Sequence, residues 1–363
     1  MMQERLSMGL RCAYLVPNAF ERCLNQQADR MLGVTCFAHS NTERLSEISL
    51  GLDAIPFARL AMPALDVGSQ ASSLYEVWFA DGDIVRGKHG PVHFSYNQEL
   101  LYGVLQIDEQ DRQFEGGRPY SDKTPLQLAV EQGYTALFET VDSLGYNAIL
   151  RVWNYIADIN AEECGVERYR QFNTGRQAGF LASGHPVTGS VPAASAVGTR
   201  NGPLVISFLA SRGDAPTSIE NPRQVSAYQY PRQYGPASPT FSRACMASVT
   251  GDEILFVSGT ASIVGHLTLH VGDAAAQATE TVANLTAILD QANRVHRGAN
   301  LTLADLCCKV YVRDPADLPT LDAALRACVG PTPKLVYIQA DICRAGLAME
   351  IEATAGHPVA FSA

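Results

Sequence analysis

The chain has 363 residues, 47% of them hydrophobic and 18% charged, which is material for a large core and a length of two or three domain-sized units. A formal net charge of −10, with no clustered Lys/Arg run and no zinc-finger spacing, argues against a nucleic-acid partner. No apolar run approaches the roughly 20 residues that span a bilayer, and the opening Met-Met-Gln-Glu-Arg lacks a leader pattern, so a soluble cytoplasmic chain with no membrane partner is expected.

The first strand read with confidence of pattern is Leu101–Asp108. A long helix over Leu126–Leu144 follows, then a strand over Ala148–Ile156, a helix over Glu167–Ala182 and a strand over Pro203–Leu209. Asp214 to Pro239 reads as a joint. It is rich in Pro, Tyr and Arg, and is either a ligand-facing segment or a surface-packed linker. Beyond it, Glu253–Ser258 reads as a buried strand and Gly259–Ser262 as a turn. Ala274–Arg294 reads as a helix with Gly272-Asp273 at its cap, carrying Val282, Leu285, Ile288 and Leu289 at helical spacing. Leu306–Arg313 is a strand, Asp314 opens a helix to about Val329, and Leu335–Ile338 and Leu347–Ala355 are strands. Each half therefore has helices between corresponding strands. This predicts an α+β fold made of one unit duplicated, residues 1–215 and 216–363.

The chemistry concentrates in the last strand. Alternation puts Met349, Ile351 and Ala353 on one face and Glu350 and Glu352 on the other. A carboxyl walled by apolar groups keeps its proton near neutrality and serves as a general acid; the alternative is two solvated glutamates on an exposed face. Aligning the halves sets Val205 opposite Glu350, so the acid exists in one copy. His266 and His270 lie in a segment that alternates like a strand, and no metal is expected. The nine cysteines show no CxxC spacing and read as reduced thiols.

Two resemblances follow from particular motifs. Gly235-Pro, Phe241-Ser-Arg-Ala244, Leu255-Phe-Val-Ser-Gly259, Val310-Tyr-Val-Arg-Asp314 and Met349-Glu-Ile-Glu-Ala353 resemble the Rid-type (YjgF-like) enamine/imine deaminases, whose units have a chorismate mutase-like barrel fold. Arg151-Val-Trp-Asn-Tyr-Ile156, Glu167-Arg-Tyr-Arg-Gln-Phe-Asn-Thr-Gly-Arg176, Pro192-Ala-Ala-Ser-Ala-Val-Gly198 and Ser226-Ala-Tyr-Gln-Tyr-Pro-Arg-Gln-Tyr-Gly235 resemble the chorismatases over most of the chain. Pro331-Thr-Pro-Lys334 departs from the deaminase pattern, where an arginine binds substrate, and Phe241 stands where tyrosine is usual.

The chorismatase resemblance implies hydrolysis of chorismate to pyruvate and a cyclic acid without a cofactor. It implies that Glu350 is the acid and that Cys343 holds the position at which hydroxybenzoate-forming members carry cysteine. Ala261 is aligned with a small residue that matters in that family. Tyr155, Arg176, Tyr228, Arg243 and Arg313 are the candidate substrate ligands, each with a structural alternative. The expected product is 3-hydroxybenzoate, with 4-hydroxybenzoate and the dihydroxycyclohexadiene acid as alternatives. A Rid-type deaminase and a non-catalytic small-ligand sensor are the competing functions. A monomer is expected.

Overall fold

The computed structural model describes residues 9–40, 52, 54–66, 73–109, 114–115, 118–119, 122–296, 300–331 and 334–362. Met1 to Arg5 and the Thr332-Pro333 pair lie outside these residues.

Pattern and capping place the elements of the second half of the chain much as expected. Strand β10 (Ala244–Val249) pairs with β11 (Asp252–Thr260). Helix α4 (Ala274–Val295) starts where the Asp273 carboxylate accepts the Ala276 N–H at 3.0 Å. Strand β12 (Cys307–Val312), helix α5 (Leu318–Val329), β13 (Lys334–Gln339) and β14 (Met349–Ala355) complete the unit. Its sheet order is β13-β12-β14-β11-β10, with only β12 and β13 parallel.

The same order occurs one unit earlier. There β5 (Val92–Tyr96), β6 (Leu100–Ile107), α2 (Pro125–Leu144), β7 (Ala148–Ala157), α3 (Arg168–Ala182), β8 (Ala193–Thr199) and β9 (Leu204–Ser211) give the sheet β8-β7-β9-β6-β5, again with one parallel pair, β7 and β8. Helix α2 is fixed by a capping box between Thr124 and Gln127 and by Gly145 in the left-handed region.

A third, shorter copy precedes both, in a region that the sequence reading counted as part of its first unit, residues 1–215. Strand β1 (Arg11–Leu15), α1 (Pro17–Gln27), β2 (Met31–Ala38), β3 (Phe57–Ala61) and β4 (Leu74–Phe79) form the order β3-β2-β4-β1. The tail strand β15 (Val359–Ser362) runs parallel beside β1. The three sheets share one interior, in which Phe37, Trp78, Tyr102, Trp153, Tyr155, Phe256 and Tyr311 pack together. Their outer faces are covered by α1, by α2 and α3, and by α4 and α5. Short exchanges tie the units: Ala64–Leu65 joins β13, and Asp341–Ile342 joins β8.

Candidate active site

A cavity of about 240 Å³ opens where β8, the edge strand of the middle unit, meets β11 and β14 of the last unit. The joint segment forms part of its wall through Gln224, Tyr230, Tyr234 and Pro239. Glu350 reaches the cavity from the inner face of β14, while Met349, Ile351 and Ala353 go to the opposite face and pack under α4 and α5. The β11–β14 register shifts between Val257 and Thr260, and Gly259 sits in that irregularity. A Cβ at Gly259 would lie 2.0 Å from Glu350 Oε1, so the glycine is required by space and not by backbone conformation.

The two face-sharing carboxylates have opposite surroundings. Glu350 is 3% exposed, and its carboxylate takes one side-chain contact, from the Cys343 thiol at 3.8 Å. Burial raises its pKa to about 8, and the charge of Glu352 adds to the rise; Arg151, Cys343 and Arg243 offset only part of it. Glu352 is held by Arg151 Nη2 at 2.5 Å, Lys309 Nζ at 2.6 Å, Ser195 Oγ at 2.8 Å and Trp153 Nε1 at 3.1 Å. Burial alone would raise its pKa, but Lys309 and Arg151 prevail and hold it at about 2. Lys309 also binds Glu76 of the first unit at 2.5 Å, and Glu76 accepts Trp78 Nε1 at 3.2 Å. At neutral pH the pair is thus one carboxylic acid facing the cavity and one carboxylate behind it. Burial, with Glu350 nearby, pushes the Cys343 thiol up to about 12, so its sulfur keeps its proton.

Positive charge is local and aimed inward. Arg176 and Arg243 are both buried and lie over the Phe241 ring at 6.0 and 5.2 Å. Arg243 Nη2 donates to Val225 O and the Tyr230 hydroxyl, and Arg176 Nη2 donates to Asn173 Oδ1, but the Nε of each is buried without a partner. Both arginines belong to the cavity lining, where a guanidinium charge suits an anionic ligand. Arg344, stacked at 4.3 Å over Tyr234, and Arg170 add two more cations to the lining.

Glu350, Cys343, Arg176, Arg243 and Ala261 all line this one cavity. Tyr155, Tyr228 and Arg313 do not line it, which corrects their assignment as ligands. Tyr155 points into the shared interior beside Phe37 and Tyr102, because β7 runs through the middle of its sheet. Tyr228 is half-buried on a 3₁₀ turn whose buried residue is Ala227, and Tyr230, just past the turn, takes the inward place. Arg313 is spent on structure: it pairs with Asp341, donates to Asn160 Oδ1, and donates to the carbonyls of Ile342, Arg344 and Leu347. Lys334 bonds the Val359 carbonyl and is absent from the cavity lining. Sequence reasoning missed Tyr169, Arg170, Ser195, Gly259 and Arg344 as lining residues. Arg344 adjoined a chosen cysteine, and the other four lay in quoted motifs, but no local pattern marked which way they face.

Comparison with known proteins agrees with this geometry. Residues 76–210 match the family described as "Chorismatase FkbO/Hyg5-like, N-terminal". A 3-hydroxybenzoate synthase of Streptomyces hygroscopicus is 33% identical over 295 residues, 79% of this chain and 82% of that protein. A chorismatase of Streptomyces rapamycinicus is 36% identical over 287 residues, 77% of this chain and 81% of that protein. A crystal structure of a chorismatase superposes with a TM-score of 0.81 and 29% identity over 96% of this chain and 98% of that one.

Proposed function

The chain belongs to the chorismatase family, and from that premise we propose that it releases pyruvate from chorismate through Glu350 and leaves a hydroxybenzoate, the 3-hydroxy isomer foremost. The observation that carries this reading is the Glu350 carboxyl, buried with a pKa of about 8 in the wall of a cavity that Arg176 and Arg243 also line.

The substrate is a dianion with an enolpyruvyl ether. Arg176 and Arg243 meet its carboxylates with their positive charge from the cavity lining, and Tyr230 fixes the second guanidinium. Glu350 gives its proton to the terminal methylene carbon: the O–H bond breaks, a C–H bond forms, and the positive charge settles on the ether carbon as an oxocarbenium centre. An oxygen nucleophile then attacks that centre. Its proton returns to the Glu350 carboxylate, which lies beside the ionised Glu352 and so favours taking it up. Collapse of the adduct frees pyruvate. When the nucleophile is the substrate's own ring hydroxyl, a cyclic ketal forms. One of its two ring C–O bonds then breaks, and that oxygen leaves as the carbonyl of pyruvate while the other C–O bond of the ketal carbon breaks to leave its oxygen on the ring. The C–H proton of the ring carbon that keeps this oxygen moves to the oxygen to give the aromatic acid, so chorismate divides into pyruvate and hydroxybenzoate with no net water.

Cys343 supports the aromatic outcome. As a neutral thiol beside Glu350 in the cavity lining, it offers the ring a weak hydrogen-bond donor rather than a nucleophile for a covalent adduct. Ala261 works the other way, because a small side chain leaves space for water near the ether carbon and so favours the dihydroxycyclohexadiene acid. All nine cysteines are free, which fits a reducing cytoplasm. The three like units packed on one another within a single chain support a monomer.

Incubation with chorismate and chromatography of the products tests the reading. Pyruvate and 3-hydroxybenzoate are expected in equal amounts, and Cys343→Ala is expected to raise the diol fraction several-fold without stopping pyruvate release. Wild-type protein that yields only the diol, or a product ratio unmoved by Cys343→Ala, contradicts the role of the cysteine.

A further inference from the structure

Four charges are buried together behind the cavity: Glu76 from β4, Arg151 from β7, and Lys309 and Glu352 from β12 and β14. Three units each contribute to this cluster. Buried ion pairs add little net stability over apolar packing, because desolvation of the charges offsets their attraction. The cluster therefore calls for a role beyond holding the units together. Its geometry supplies one. Glu352 shares a strand face with Glu350, has four polar partners, and is not part of the cavity wall; Ser195, which is, bridges it to the cavity.

We propose that Glu352 is a positioning residue for the reaction: a fixed negative charge that holds Glu350 in its proton-bearing form, anchored by Arg151 and Lys309 and, through Lys309, by Glu76 of the first unit. The inference rests on Glu350 being the acid. The other groups that face Glu350 are Arg151 from β7, Arg243 from the segment before β10, Cys343 and Arg344 from the loop before β14, Tyr169 and Arg176 from α3, and Tyr311, its cross-strand partner on β12. Among these the nearest cations, Arg151 and Arg243, pull Glu350 toward the ionised form, so without Glu352 the acid is lost at lower pH.

The test is the pH profile of kcat/KM for pyruvate release, which reports the ionisation of the free enzyme. Wild type is expected to lose activity as pH rises through about 8, where Glu350 ionises. In Glu352→Gln the fall moves down by about one pH unit, so that between pH 6 and pH 8 kcat/KM drops about tenfold where wild type drops about twofold. KM moves little, since Glu352 does not line the cavity. Glu76→Gln keeps the cavity untouched and frees Lys309 to offset Glu352, so its profile shifts in the same direction by a smaller amount; this variant answers the question should Glu352→Gln fail to fold. An unshifted profile in a folded Glu352→Gln, or in Glu76→Gln when the first does not fold, overturns the proposal. Glu350→Gln separates the two readings: if it is inactive and the other profiles are unshifted, only the role of Glu352 falls, whereas an active Glu350→Gln removes the acid itself and this inference with it.

Discussion

At the scale of single residues the site depends on a hydrogen atom. The Glu350 carboxyl lies against Gly259 so closely that any side chain there would occupy its place. What an added methyl meets is the far end of a flexible side chain, which can swing aside, and not packed backbone. Gly259→Ala is therefore expected to keep the fold, with a melting temperature near that of wild type, and to lower kcat by one to two orders of magnitude, on the order of what a misplaced general acid loses. A large fall in melting temperature with kcat preserved would show that the glycine serves packing alone. Alternation along Met349–Ala355 was enough to put both glutamates on one face, and the chorismatase resemblance, not the pattern, pointed to Glu350. It was silent on why they differ. Glu352 is ionised because Arg151, Ser195 and Lys309 arrive from strands more than 40 residues away, and no pattern local to β14 contains them.

At the scale of elements, Arg313 has a consequence that its misassignment as a ligand obscured. Its guanidinium gathers the carbonyls of Ile342, Arg344 and Leu347 and ties them to Asp341 and Asn160, so it sets the path of the loop that presents Cys343 and Arg344. Arg313→Ala leaves three carbonyls without that donor and is expected to cost about 2–4 kcal/mol and to shift product toward the diol as Cys343 loses its station. Denaturant unfolding and product chromatography read the two effects, and a variant with unchanged product ratio would confine Arg313 to stability. From Leu100 onward, the strands with apolar runs or clear alternation, and the four long helices, were legible to within a few residues. Strands β8 and β10 were not, because Ala-Ala-Ser-Ala-Val-Gly-Thr and Ala-Cys-Met-Ala-Ser-Val are poor in β-branched and aromatic residues and are buried on both faces, which removes the alternation as well.

At the scale of the whole molecule, three copies of one strand order enclose one interior, and only one of them carries the acid. Register makes the comparison direct: Glu350 pairs with Tyr311, Val205 with Tyr155, and Leu74 with Phe37. Two of the three equivalent positions are thus apolar, and one site per chain follows. The sequence comparison of Val205 with Glu350 is reproduced by this register, while the first copy went unread although Met31–Ala38 and Leu74–Phe79 are mostly apolar strands. The interior still uses all three copies, since Glu76 of the first unit closes the charge cluster behind the acid of the last. The account's central claim is that Glu350 protonates the enolpyruvyl methylene. Pyruvate release from chorismate by Glu350→Gln, whose amide keeps the shape but has no acid proton to give, measures it most directly. A fall of roughly 10²–10⁴-fold in kcat with the fold retained is the predicted result, and turnover near that of wild type would contradict it.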